Sequence, residues 1–102
     1  MRGLLTPDPT AVFDLDRGWR LHPQVAVRPE PFGALLYHFG TRRLSFLKSR
    51  RLLDVVRRLE HEADPLAACR AAGVAEAELS GYRRALARLA ASGMIVPAGG
   101  TA

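Results

Sequence analysis

Cysteine is almost absent from this chain. Cys69 is the only one in 102 residues, which excludes an intramolecular disulfide and gives no hint of secretion. One thiol also cannot hold an iron–sulfur cluster, which takes several thiolates. Cys69 reads instead as a buried, inert residue of a small-residue helix. The three histidines, His22, His38 and His61, have no metal-ligand spacing with one another or with Cys69, so no metal site is expected. No apolar run approaches the roughly 18 residues of a membrane span. Met1-Arg-Gly-Leu-Leu5 is followed at once by Thr-Pro-Asp-Pro-Thr, which leaves no signal-peptide core. The expectation is a cytoplasmic protein with no membrane partner. Ser-His-Asp order, HExxH, a Walker loop and GxGxxG are all missing, so neither catalytic residues nor a cofactor are expected.

Lysine is scarce too. Lys48 is the sole lysine among 15 basic residues, set against 10 acidic ones, for a net charge of +5 and a pI near 10.6. Such a balance suits nucleic acid or an acidic partner. An Arg-over-Lys, Ala-rich composition also arises from a GC-rich genome, so the charge alone does not choose.

What is present is one domain's worth of chain with 48% hydrophobic residues. Residues 1–16 read as a flexible arm, 17–97 as the folded domain and 98–102 as a disordered tail. Trp19–Leu21 starts a first strand, with Trp19 as a core anchor. His22-Pro23 interrupts it, and Gln24–Arg28 continues it with Val25 and Val27 on one face. Pro29–Gly33 is a turn. Ala34–Phe39 is a second strand: Leu35, Tyr37 and Phe39 share one face, Ala34, Leu36 and His38 the other. Gly40-Thr41 is a hairpin turn in which glycine supplies a positive φ. Arg43–Lys48 is a third strand, with Leu44 and Phe46 expected on its inner face and Leu47 pointing away.

Then the period changes. Ser49 caps a helix to about Glu60, with Leu52, Val55, Val56 and Leu59 on its apolar side. Arg50, Arg51, Asp54, Arg57 and Arg58 lie opposite. Asp64-Pro65 starts a short second helix that Gly73 stops. A third helix starts near Glu76, carries Leu79, Tyr82, Leu86 and Leu89 at core spacing, and ends at Gly93. Met94–Val96 is a terminal extended segment. The fold class is α+β and winged-helix-like: a three-stranded antiparallel sheet followed by three helices. Tyr37, Leu44, Phe46, Leu86 and Leu89 read as core. Leu47 reads either as an apolar residue that touches a partner or as a single exposed leucine.

A small sheet that ends in an open edge, only partly covered by helices, suggests a binding module. The order of elements, with Gly18–Glu30 (Gly-Trp-Arg-Leu-His-Pro-x-Val-Ala-Val-Arg-Pro-Glu), Phe32–Tyr37, Ala85–Leu89 and Gly93–Val96, resembles the PqqD-like precursor-peptide recognition domains of ribosomal-peptide maturation. The likeness is strongest to the peptide chaperones of the mycofactocin system and covers about residues 12–97. It implies a non-catalytic chaperone whose partners are a short precursor peptide, bound by its leader, and a radical S-adenosylmethionine maturase. The clusters and S-adenosylmethionine belong to that enzyme. In such domains the leader pairs antiparallel with the third strand and lies against the third helix. Carried onto this chain, the peptide site is Arg42, Arg43, Leu44, Ser45, Phe46, Leu47 and Lys48 with Leu79, Tyr82, Arg83, Leu86 and Ala90, and Ala87 and Ala90 keep the helix low.

From Arg42 to Arg58 the basic residues Arg42, Arg43, Lys48, Arg50, Arg51, Arg57 and Arg58 face one acid, Asp54. They read either as a solvated face or as an enzyme-docking surface built on Arg50, Arg51, Arg57 and Arg58. Two alternatives stay open. One is a winged-helix DNA-binding regulator reading through Arg83, Arg84 and Arg88, against which Glu76 and Glu78 at the helix start would repel phosphates. The other is a homodimer that buries the third strand's edge against its twin.

Overall fold

The computed structural model describes residues 13–98. Its elements are β1 (Trp19–Leu21), β2 (Val25–Glu30), β3 (Gly33–His38), β4 (Arg43–Leu47), α1 (Arg50–Arg58), a 3-10 turn (Leu59–His61), α2 (Pro65–Ala71), a second 3-10 turn (Glu76–Glu78), α3 (Leu79–Ala91) and β5 (Ile95–Pro97). Strands β2, β3 and β4 form one antiparallel sheet in that order, and the three helices follow it. The expected α+β architecture is therefore what the chain adopts. The first strand divides in two at His22-Pro23. Its leading half, β1, leaves the main sheet and pairs with β5, Leu21 opposite Ile95.

Local chemistry sets the helix ends. The Ser49 hydroxyl accepts the Leu52 N–H at 3.0 Å, and the Asp64 carboxylate accepts the Ala67 N–H at 2.8 Å. Pro65 takes the first turn of α2, where its missing N–H costs nothing. Gly73 and Gly93 close α2 and α3 in the left-handed region, at φ 87° and 79°. Buried Leu52, Leu53, Val55, Val56 and Leu59 turn one side of α1 and the 3-10 turn after it into a core. Leu36 and Leu47 of the sheet, Leu86 and Leu89 of α3, and Met94 and Ile95 complete it.

Three expectations need correction. The arm is not separate up to residue 16. Residues 1–12 lie outside the described residues, but Phe13 is buried and stacks on Trp19 at 4.9 Å, and the Trp19 indole donates to the Asp14 carbonyl at 2.8 Å. Of the tail, only Ala98 is described.

The hairpin turn does not use glycine for a positive φ. Arg42 takes that conformation, at φ 65°. At Gly40 a Cβ would crowd the Gln24 Oε1 at 2.5 Å and the His38 ring at 2.9 Å. The His38 Nδ1 organises the turn, accepting the Gly40 and Thr41 N–H groups at 3.0 and 3.1 Å, which satisfies a buried polar side chain.

The third correction matters most. Pairing groups the hairpin faces as expected, since Leu35 opposes Phe46 and Tyr37 opposes Leu44. The other face is the one turned to the core. Ala34, Leu36, His38 and Leu47 are buried, whereas Leu44 is 58% and Phe46 62% exposed. Leu47 is core, and Leu44, Phe46 and half-buried Tyr37 stand on the solvent face. The end of β4 explains this. Leu47 is the last strand residue before α1, and there the chain must turn beneath the sheet. Gly33 admits the close pass, because a Cβ on it would collide with the Leu47 carbonyl.

Candidate functional site

Strand β4 is an edge: among the described residues only β3 pairs with it. Which of its backbone groups are free follows from the ladder. The Phe39 N–H donates to the Gln24 carbonyl at 2.9 Å, just outside the Val25–His38 pair. That pair is therefore a non-hydrogen-bonded one, and the backbone groups of His38 turn the other way, toward β4. The Arg42 N–H meeting the His38 carbonyl at 2.7 Å agrees. Counting along the register, Arg43, Ser45 and Leu47 spend their N–H and C=O groups on β3. Leu44 and Phe46 present theirs to the open edge.

A cleft of about 770 Å³ runs between this edge and α3. Its apolar lining includes Leu47 and Leu52 on one side and Leu89 on the other, with Gly81 and Ala85 making the helix wall low. A Cβ placed on Gly81 would meet nothing within 4 Å, so the glycine leaves open space where a side chain would stand. Lys48, Arg84 and Arg88 line the cleft together with one acid, Glu78. The arrangement suits an extended segment with apolar side chains and an acidic character.

Of the residues expected at a peptide site, Ser45, Leu47, Lys48 and Tyr82 line the cleft, and Leu44 and Phe46, whose side chains stand on the solvent face, border it along the strand edge. Arg42 and Arg43 are exposed at the turn end of β4, outside it. Leu79 packs partly on the core, Leu86 is fully buried within it, Arg83 is exposed and Ala90 is half-buried. Ala87 is also fully buried and cannot shape the groove. The helix face that does so lies one residue earlier: Ala77, Glu78, Gly81, Arg84, Ala85 and Arg88. Hydrophobic periodicity passes over this face because its residues are small or charged. The signal that finds it is the 78-81-85-88 spacing of small or charged positions along an otherwise amphipathic helix.

The four arginines of α1 differ in their engagement. Arg51 donates to the Gly73 carbonyl at 2.7 Å and so ties α1 to the end of α2. Arg58 pairs with Asp54 at 3.0 Å, one turn away. Arg50 and Arg57 are exposed. Cys69 is buried, and burial pushes its thiol pKa up against the smaller opposing pull of Arg70, which disfavours the thiolate. Among the described residues, no group of three or more His, Cys, Asp or Glu could hold a metal ion. No helix among them is long and apolar enough to cross a membrane.

The model of the peptide chaperone MftB family matches residues 18–96. The chain belongs to that family. It is 62% identical over 104 residues to the peptide chaperone MftB of Mycobacterium ulcerans, covering 95% of each chain. It is 59% identical over 105 residues to that of Mycobacterium tuberculosis, covering 95% of this chain and 96% of the other. The Mycolicibacterium smegmatis chaperone is 59% identical over 85 residues, 83% of each chain. No solved structure matches. The matched span runs from the residue before β1 to the middle of β5, and so contains both walls of the cleft.

Proposed function

We propose that this chain captures the leader of a ribosomally made precursor peptide as a fourth strand, antiparallel to β4, holds it against α3, and presents it to a radical S-adenosylmethionine maturase of a mycofactocin-type system. It supplies no chemistry of its own. The iron–sulfur clusters and S-adenosylmethionine belong to the enzyme. The open edge carries the reading. The groups of Leu44 and Phe46 give a peptide main-chain hydrogen bonds, and the cleft above Gly81 and Ala85 gives alternate side chains a pocket. Membership of a peptide-chaperone family supports the same conclusion.

The test fills the cleft. Gly81→Leu adds a side chain where there is open space, and leucine favours a helix interior more than glycine does. The variant is expected to fold and to lose most of its affinity for a precursor peptide of the mycofactocin type, measured by calorimetry. In isotope-labelled wild-type protein, the amide signals of Leu44 and Phe46 should move most on titration. Unchanged affinity in Gly81→Leu, with those amides unmoved, places the peptide elsewhere.

A further inference from the structure

If a peptide adds to β4, only half of its side chains can enter the cleft. Side chains along a strand alternate between faces, and residues directly opposite one another share a face. The edge groups belong to Leu44 and Phe46, whose side chains stand on the solvent face of the sheet, away from the core. Residues of an added strand that bond to Leu44 and Phe46 therefore project onto that same face. Those opposite Ser45 and Leu47 project toward the cleft.

The solvent face is not an inert, polar one. An antiparallel sheet with one face on the core commonly shows polar residues on the other. Here the outward set includes Leu35, Tyr37, Leu44 and Phe46. Phe32 is 50% exposed beside it, with its ring 6.4 Å from that of Phe46. Phe39, 59% exposed, stacks edge-on against Tyr37 at 5.1 Å. Contiguous exposed apolar surface on a small domain marks a binding site. This patch begins at the edge where the captured strand would lie.

We infer that the aromatic face of the sheet is the second half of the peptide site: Leu44, Phe46 and Phe32 read the alternate side chains of the captured strand while the cleft reads the others. The inference rests on the edge-pairing reading above. It makes a distinct claim about the ligand, that the recognised segment is apolar at consecutive positions rather than at every second one.

The test pairs variants with a ligand scan. Phe32 lies in a turn and does not line the cleft, so Phe32→Ser probes the outer face alone. Phe46→Thr keeps a strand-forming residue and removes the ring. Affinities for the precursor peptide and its single-alanine variants are measured against wild type, Phe32→Ser, Phe46→Thr and Gly81→Leu, with circular dichroism confirming the fold of each. Phe46→Thr is expected to lose about tenfold in affinity and Phe32→Ser a few-fold, the scale of burying one large apolar side chain. Sensitive ligand positions should be consecutive, and every second one should lose its sensitivity in Phe46→Thr. If Gly81→Leu abolishes binding while both aromatic variants bind as wild type and only alternate ligand positions matter, the inference fails and the cleft reading stands. If Gly81→Leu also binds as wild type, both fail. Retained peptide affinity with loss of self-association, or with loss of maturase capture, gives the face to a second copy or to the enzyme and overturns the proposal.

Discussion

Phe46 and Leu47 are neighbours in sequence and opposites in environment: Phe46 is 62% exposed and Leu47 1%. The alternation of β4 puts one on solvent and the other into the core, beside Ala34 of β3. Stability and binding should therefore separate cleanly at this pair. Leu47→Ala removes a fully buried leucine and should cost about 2–5 kcal/mol. Phe46→Thr, a surface change on a strand, should stay within about 0.5 kcal/mol of wild type. Urea unfolding of the two variants decides it. A large loss in Phe46→Thr would mean that the exposed aromatic face supports the fold rather than a ligand.

Two glycines should respond to alanine in opposite directions. At Gly33 a Cβ would collide with the Leu47 carbonyl, a backbone atom that cannot yield without moving β4. Gly33→Ala should destabilise by about 1–3 kcal/mol or more. At Gly81 a Cβ meets nothing, and the residue lies inside α3. Gly81→Ala should stabilise by roughly 0.5–1 kcal/mol, because alanine loses less backbone freedom on folding. Thermal melts of both variants give the signs. A stabilised Gly33→Ala would show that the hairpin end passes less closely to β3 than described.

Much of this was legible in the sequence where the determining chemistry is local. Ser49, Asp64-Pro65, Gly73 and Gly93 mark helix ends because caps act over a single turn. Met94–Val96 announced an extended segment, although its pairing with β1 is a long-range matter. The facing of the hairpin was not legible. Leu35, Tyr37, Leu44 and Phe46 form the more apolar set, and hydrophobic patterning assigns the more apolar face to the core. Here the more apolar face is the one turned to solvent, so that rule points the wrong way. The cleft face of α3 is hidden for a related reason: Gly81 and Ala85 keep the wall low by being small, and small residues leave no hydrophobic period. Phe13 carries no such signal, because a lone aromatic among prolines and aspartates has no pattern to join.

Mild acid should weaken the fold through His22. Its Nδ1 accepts the Gln24 N–H at 3.0 Å, and its ring lies 4.3 Å from that of His38. Desolvation, then repulsion from His38 and Arg20, hold its pKa below the usual 6.5. The unfolded chain therefore binds more protons than the folded one just below that value, so stability rises with pH there. Melting temperature should be level above about pH 6.5 and fall as pH drops toward the lowered pKa. His22→Asn keeps an acceptor without a titrating ring and should flatten the slope in that window. An equally steep slope in the variant would assign the acid sensitivity to another group.

The arginines of α1 divide into two that make contacts within the fold and two that stand exposed. Arg51 bonds to the Gly73 carbonyl and Arg58 to Asp54. Reversing either would confound docking with folding. Replacing Arg51 with alanine should cost about 0.5–1.5 kcal/mol, the net worth of one hydrogen bond. Arg50 and Arg57 are exposed, and no salt bridge to either is found among the described residues. Arg50→Glu with Arg57→Glu should leave stability within about 0.5 kcal/mol and peptide affinity unchanged, since neither residue lines the cleft. If this face meets the maturase, capture of the enzyme by the double variant should weaken, chiefly through the association rate, and most at low salt where charge steering is strongest. Surface plasmon resonance against immobilised maturase at two salt concentrations measures it. Association at the wild-type rate in low salt would return Arg50 and Arg57 to a solvating role and direct the search for the enzyme contact to the rest of the surface.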